Sequence, residues 1–598
     1  MLVPAAMVRE FSADVKEIRN ILRTEDVTYM IPRYQRGYSW RRPQTSALWD
    51  DMLEEEYGLF IGTILLNQGE KREDRVQIID GQQRLLTITI LLSSIRDELE
   101  KIGGGGAERR AAKVQLMYIE DEEYEDRIVK IETAKDVRDY FQDAIIEPKR
   151  KRAVREAVTD QEKRIKSARA FFDSKIRQYL RDNGAKKEVD KITWLEDLTK
   201  RVEKLSVVAI NVERPEDAYK VFESVNAKGA ALTLADILKS LIFRKIPPTA
   251  SMEDTAQTQW DKIHSNLEGT GFTMSKFIRY YWLSKYEFLT ESKLYSAIKE
   301  KMDKDRDLDW QDLLDELVTN SKNLKKLKQA EPDDFSSYTS PRRISNGLKG
   351  ISHMNVSQVY VLLLAIQRNQ SMKKAWEREI EMLEKFCFHY HAIGKQQAVR
   401  VEKRYSSYAI EIEKLNHMEV EGDLAKKRSL ALEEILKGMI DDFIALKNEY
   451  VNREMFRDRF IEEMDYSKQA KRPLIKYSLQ KIDSHYTGGM GELSIDDQVV
   501  NLEHVLPQRP KEWGLSEESV ENYVNRIGNL TLLAKKLNSQ MGNSPLEKKY
   551  PKLQKSELEI TKRLVQFIDE SGMKWNESLI MERSGELATV CYDGVWKL

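Results

Sequence analysis

The sequence predicts a multidomain, predominantly α protein with an α+β segment at its N-terminus, and three observations carry that prediction. The chain has 598 residues, against roughly 100–200 for one folding unit. Hydrophobic residues make up 41% and charged residues 33%, enough apolar side chains for several cores and too many for a disordered chain. Apolar residues recur with helical spacing through most of 250–460, whereas short β-like runs occur near the N-terminus and again after Asp496.

Composition also excludes several classes. Lys and Arg number 98 against 99 Asp and Glu, a formal net charge of −1, so any polyanion site must be local. Two cysteines, Cys387 and Cys591, rule out a disulfide framework and a four-cysteine zinc site, and seven histidines leave little for a multi-histidine metal centre. Apolar runs such as Val359 to Ile366 fall far short of the roughly 20 residues that span a membrane. We therefore expect a cytoplasmic protein with no membrane partner.

The first hundred residues mix strands and helix. Phe60 to Leu66 and Val76 to Asp80 read as buried strands, and after Gly81 the period changes, with Leu85, Ile88, Leu92, Ile95 and Leu99 on one helical face. Asp80-Gly81-Gln82-Gln83-Arg84 therefore sits where a strand gives way to a helix N-terminus, whose free N–H groups attract phosphate. Asp80 and Arg84 could equally form an ion pair at the helix start. No Gly-x-x-x-x-Gly-Lys-[Ser/Thr] occurs, which argues against a Walker-type ATPase. Upstream, Arg33 and Arg36 alternate with Tyr34, Tyr38 and Trp40, residue types suited to phosphate clamping and base stacking and also common in packing loops.

The run Gly103 to Gly106, with dense charge after it, predicts a flexible insertion. Lys149-Arg150-Lys151-Arg152 within it reads as a solvated face that could touch a DNA backbone. A strand returns at Leu205 to Val212, and two helical patterns follow around Asn226-Ala227-Lys228-Gly229, the second opening on Thr233 and Asp236 in capping-box spacing. The expected division is 1–245, with a charged helical insertion at about 103–200, then a helical connecting domain at 246–490 and a compact unit at 491–598. His389 and His391 beside Cys387 lack a further ligand at metal-binding spacing, so no site is expected there.

The segment richest in chemistry is Asn501-Leu502-Glu503-His504-Val505-Leu506-Pro507-Gln508, followed by Ile527-Gly528-Asn529-Leu530-Thr531-Leu532-Leu533 and Asn538. Phosphodiester hydrolysis needs a base for water and a hard cation for developing charge. His504 can serve as the base, and Glu503 with an amide oxygen can hold Mg²⁺. A lone His or Asn usually has an ordinary structural role; here the ordered set carries the reading.

Glu503 to Gln508 resembles the Asp-His-x-x-Pro-Gln opening of HNH (His-Me finger) nucleases, and Asn529 and Asn538 are nine residues apart, as in those domains. The Gly-Asn-Leu-Thr-Leu-Leu wording is similar to the C-terminal domain of GmrSD-type proteins. The resemblance implies a ββα-metal domain in which His504 is the general base, Glu503 and Asn538 bind Mg²⁺ or Mn²⁺, and Asn529 braces the catalytic loop. Glutamate stands at 503 where aspartate is commoner, which lengthens that ligand by one methylene. At the other end, Ile31-Pro32-Arg33-Tyr34-Gln35-Arg36, Asp80 to Arg84 and Phe222 to Gly229 resemble the GmrSD N-terminal domain, a branch of the ParB/sulfiredoxin-like fold in which Asp-Gly-Gln-Gln-Arg is associated with NTP binding and hydrolysis. By that resemblance Asp80, Gly81, Gln82, Gln83, Arg84, Asn226 and Lys228 would bind an NTP (GTP, UTP or ATP), and Arg33, Tyr34, Gln35 and Arg36 would read nucleotide or modified DNA. The implied function is an NTP-regulated type IV restriction endonuclease that cuts modified phage DNA, dimeric where both strands are cut. Two other readings stay open: a nucleotide-switched DNA-binding regulator with a non-catalytic HNH domain, and a toxin-like nuclease acting on host nucleic acid.

Overall fold

The structure is a computed structural model, and it describes residues 11–24, 27–32, 35, 37–55, 57–67, 75–123, 126–153, 155–212, 233–246, 255–305, 308–369, 376–417, 422–488 and 499–598. The protein is multidomain and mostly α, with one small mixed sheet near its N-terminus. It divides into two compact units, Met1–Gln257 and Thr258–Leu598. No helix among the described residues is long and apolar enough to cross a membrane.

In the first unit, β1 (Phe11–Glu17) leads into the short helix α1 (Ile18–Leu22) and β2 (Thr28–Met30). Helix α2 (Arg42–Glu54) precedes β3 (Phe60–Asn67) and β4 (Arg75–Asp80). Helices α3 (Gln82–Ile102) and α4 (Gly104–Val114) follow, then the hairpin β5 (Glu120–Glu123) and β6 (Asp126–Val129), β7 (Ile131–Glu132) and α5 (Lys135–Phe141). Two long helices, α6 (Asp160–Asp182) and α7 (Glu188–Glu203), return the chain to β8 (Ser206–Val212). The sheet runs β1-β8-β3-β4-β2-β7. Pairing is antiparallel for β1/β8 and β3/β4 and parallel for β8/β3, β4/β2 and β2/β7.

The predicted strand, turn and helix around Asp80 are present. Leu85, Ile88, Leu92, Ile95 and Leu99 are all buried, and so are Leu86, Ile90 and Leu91 on the other face of α3. The helix is therefore enclosed rather than one-sided, because it lies among α4, α6 and α7. Within it Arg96 and Asp97 are buried as a pair, Arg96 Nε lying 2.9 Å from Asp97 Oδ1. Asp97 also accepts from Arg169, and from Arg152 at 2.6 Å. Arg152 thus turns inward to a buried carboxylate instead of lying on the solvated face expected of the 149–152 run. The glycine run at 103 corrects a second expectation. It opens helix α4, whose Ala107, Ala111 and Val114 recur at helical spacing and are buried, so packing outweighs the low helix propensity of glycine. The Thr233–Asp236 cap forms as expected, with Thr233 Oγ1 accepting from the Asp236 amide at 3.3 Å at the head of the helix Leu234–Lys245.

Among its described residues the second unit is mostly helical and carries β9 (Val500–His504) and β10 (Leu530–Ala534), an antiparallel pair with Leu530 opposite His504 and Thr531 opposite Glu503. Its chain end is anchored in the helical region. The Trp596 ring stacks on Phe388 with centroids 3.7 Å apart, and the Trp596 carbonyl meets His389 Nε2 at 2.8 Å. His389 is an enclosed core residue.

Candidate active site

His504 ends β9, and its ring is held by groups from two other segments. Nε2 lies 3.2 Å from Asn525 Oδ1, and the ring meets Tyr466 edge-on with centroids 5.5 Å apart. Gln508 Nε2 donates to the same Asn525 oxygen at 2.7 Å. That shared oxygen is an acceptor, so His504 Nε2 carries the proton and Nδ1 is left as the basic atom. Burial pushes the His504 pKa down to about 4, more than the hydrogen bond to Asn525 restores, with Lys549 and Arg472 adding to the depression. The ring is neutral at pH 7, the form a general base requires. Tyr466 is tied in by its own amide, which donates to the Asn525 carbonyl at 2.9 Å, and Arg472 lies over its ring at 4.8 Å. Arg472 is exposed and forms no ion pair with a described residue.

Asn529 is fully buried and has no amide position to spare. Its Oδ1 accepts from the Leu506 amide at 2.8 Å and from Trp575 Nε1 at 2.9 Å. Its Nδ2 donates to the carbonyls of Leu506 at 2.8 Å and Val524 at 2.7 Å. The residue clamps the turn after His504 onto the loop that carries Asn525. The glycine before it has a separate cause. A Cβ on Gly528 would lie 2.0 Å from the Ile580 carbonyl, so the helix Glu577–Val590 packs directly on its backbone.

Glu503 takes different partners from its neighbour, as successive strand residues do. Its Oε1 accepts from Lys549 Nζ at 2.7 Å, and the same ammonium donates to the His504 carbonyl at 2.7 Å. Lys549, on the helix Leu546–Leu553, is fully enclosed. Burial lowers its pKa and raises that of Glu503, and each shift is partly offset by the other partner. Asn538 ends the short helix Lys535–Asn538 and donates Nδ2 to the Leu502 carbonyl at 3.1 Å, which ties it to β9.

Glu503 Oε2 and Asn538 Oδ1 receive no hydrogen bond from a described residue. One carboxylate oxygen and one amide oxygen fit a hard divalent cation that keeps several of its waters. No group of three or more His, Cys, Asp or Glu able to hold a metal occurs among the described residues.

The two N-terminal motifs come together in the first unit. Gly81 adopts φ +95° before α3, and a Cβ there would press on Ile64, so the turn requires glycine. Gln83 is buried and straps the upstream loop to the helix, with Oε1 accepting from the Ser39 amide at 2.7 Å and Nε2 donating to the Gly37 carbonyl at 3.0 Å. Gln35 Nε2 donates to the Ile79 carbonyl at 2.9 Å, and Tyr38 Oη meets Thr87 Oγ1 at 2.9 Å. Arg84 Nη1 donates to the Thr63 carbonyl at 3.1 Å, and Gln82 is buried. Arg33, Tyr34, Arg36, Asn226 and Lys228 lie outside the described residues.

Sequence reasoning missed Asn525, Tyr466 and Lys549. Asn525 lies four residues before Asn529, a spacing that could have drawn attention to it. Tyr466 lies in a turn and Lys549 on the helix Leu546–Leu553, and no motif spacing marks either.

No curated protein matches the chain. Residues 16–243 match the family model of the GmrSD restriction endonuclease N-terminal domain. Residues 450–590 match that of the GmrSD restriction endonuclease C-terminal domain, a span that takes in Tyr466, Glu503, His504, Asn525, Asn529, Asn538 and Lys549. With both halves of the family matched in order, the chain belongs to the GmrSD restriction endonucleases, enzymes that act on DNA.

Proposed function

We propose that this restriction endonuclease hydrolyses phosphodiester bonds at an HNH-type site around His504, under control of an NTP bound at the Asp80–Arg84 turn, and that it acts in the cytoplasm on modified phage DNA. The observation that carries the chemistry is the bond between His504 Nε2 and Asn525 Oδ1. It supports Nδ1 as the atom that takes the proton from the attacking water, in a ring kept neutral by burial. Asn525, Gln508 and Tyr466 orient the ring, and Asn529 positions the loop. Arg472 contributes positive charge on the side of the ring that Tyr466 covers. Glu503 and Asn538 would hold Mg²⁺ or Mn²⁺, and a cation bound there would stabilise charge on the phosphate and leaving oxygen.

For the N-terminal half, support comes from the first turn of α3, where Gly81 offers no side-chain cap and the amides of Gln82 to Arg84 begin the helix. Gln83 serves as a strap, and Asp80 and Arg84 would take part in the nucleotide site by the family resemblance. Asn226, Lys228 and the Arg33–Arg36 segment join this surface by the family resemblance.

The experiment compares cleavage of modified phage DNA, unmodified DNA and RNA, each with and without NTP and Mg²⁺. The proposal expects cutting of modified DNA that changes with NTP, and loss of NTP hydrolysis in Asp80→Ala/Arg84→Ala. Full hydrolysis in that variant removes the sensor half. Cutting of all substrates alike favours the toxin-like reading. A homodimer would follow from concentration-dependent double-strand breaks.

A further inference from the structure

Helices α2 and α6 of the first unit pack through Trp49 and Phe172, whose ring centroids are 6.2 Å apart. Beside this contact lies a groove of about 600 Å³ whose lining is strongly basic. Arg41 and Arg42 enter it from the start of α2, and Lys163, Arg164 and Lys175 from α6; Asp160 supplies its one carboxylate. Arg41, Arg42, Lys163 and Arg164 form no ion pair with any described residue, while Lys175 reaches Asp50 at 3.4 Å. Some helical cations elsewhere are matched, as in Arg201 with Asp197, Lys385 with Glu381 and Lys304 with Glu300. In a chain of net charge −1, four unmatched cations around one groove are a local excess. Trp40 and Phe171 also line it. Both are half-buried against the core, so each is held firmly and keeps part of its ring exposed.

We propose that this groove grips the backbone of a DNA strand, with Trp40 and Phe171 receiving an unstacked base or sugar face. The choice of DNA rests on the reading of the chain as a DNA-cutting enzyme; the choice of a strand over a mononucleotide rests on dimensions, and over a duplex on the aromatic lining. Arg164 and Lys175 are eleven residues apart on α6, about 17 Å of helix rise. A stacked strand rises about 3.4 Å per nucleotide along the helix axis, so that span covers at most roughly five phosphates and exceeds one mononucleotide. Cations that track phosphates beside aromatic platforms are the general means of holding a single strand.

The test measures binding of labelled single-stranded and duplex DNA across a salt series in a His504→Ala background, where cutting is suppressed. Arg42→Ala/Lys163→Ala/Arg164→Ala should weaken binding and flatten the dependence of log K on log salt by about 2 to 3, the contribution of three phosphate contacts. Phe171→Leu should weaken single-strand binding about tenfold with little effect on duplex. A charge-matched control, Lys262→Ala/Lys293→Ala/Lys304→Ala, should leave both slopes in place. Unchanged affinity and slope in the groove triple variant, with an unaltered melting profile, would overturn the proposal. So would an equal loss in the control, tighter binding of matched RNA, or displacement of the strand by micromolar free nucleotide. If the His504→Ala protein itself cuts normally, the nuclease reading fails while the binding data still judge the groove.

Discussion

Lys549 and Glu503 form an enclosed ion pair, Nζ to Oε1 at 2.7 Å, and the same ammonium holds the carbonyl of His504 at 2.7 Å. A cation from a distant helix thus fixes the two strand residues on which the proposed chemistry depends. The pair takes one carboxylate oxygen of Glu503, and the other receives no hydrogen bond from a described residue.

Removing one partner of a buried pair leaves an uncompensated charge, at a cost of about 3–5 kcal/mol. Lys549→Met is therefore expected to destabilise the Thr258–Leu598 unit by that order in chemical denaturation. Glu503→Gln/Lys549→Met should recover much of the loss while remaining impaired in cutting. A single Lys549→Met protein as stable as the parent would show that the pair contributes nothing.

Asn525 orients the base without being the base. Asn525→Leu should lower kcat about 10- to 100-fold with a smaller change in KM, the size expected when a reacting group is misplaced. With Asn525 present, the acid limb of the pH–rate profile should lie near the depressed His504 value of about 4 rather than near 6.5. Asn525→Asp puts a carboxylate beside Nε2, favours the charged ring and should move that limb upward. A profile indifferent to both substitutions contradicts the assigned hydrogen bond.

Three histidines of the second unit are held neutral by burial: His389 is pushed down to about 3, and His391 and His504 to about 4. Between those values and about 6.5 the unfolded chain binds protons that the folded unit does not. Stability is then full above about pH 6.5 and falls as the pH drops toward 4, by up to about 1.4 kcal/mol per pH unit for each histidine. Denaturant melts at pH 7, 6 and 5 should show this loss, and His389→Phe should reduce it. A flat dependence over that interval would exclude the histidine account.

Legibility in the sequence followed the range of the interactions. The turn at Gly81, the strand before it, the helix after it and the Thr233 cap are set by neighbours in the chain, and each was readable from spacing. The Glu503–His504 pair with Asn529 and Asn538 was readable as a motif, because four useful residue types stood in order. Lys549 and Tyr466 were not, since a lone lysine or tyrosine gives no sign of an acceptor 45 residues away or of a ring 38 residues away. The helix at Gly104 was missed for a related reason, because its stability comes from burying Ala107, Ala111 and Val114 and not from local propensity.

The central claim is that His504 removes the proton from the attacking water, and plasmid cutting by His504→Ala with Mg²⁺ tests it most directly. Cleavage should fall about 10²- to 10⁴-fold, with DNA binding and the melting profile unchanged. Undiminished cutting by that variant would contradict the account.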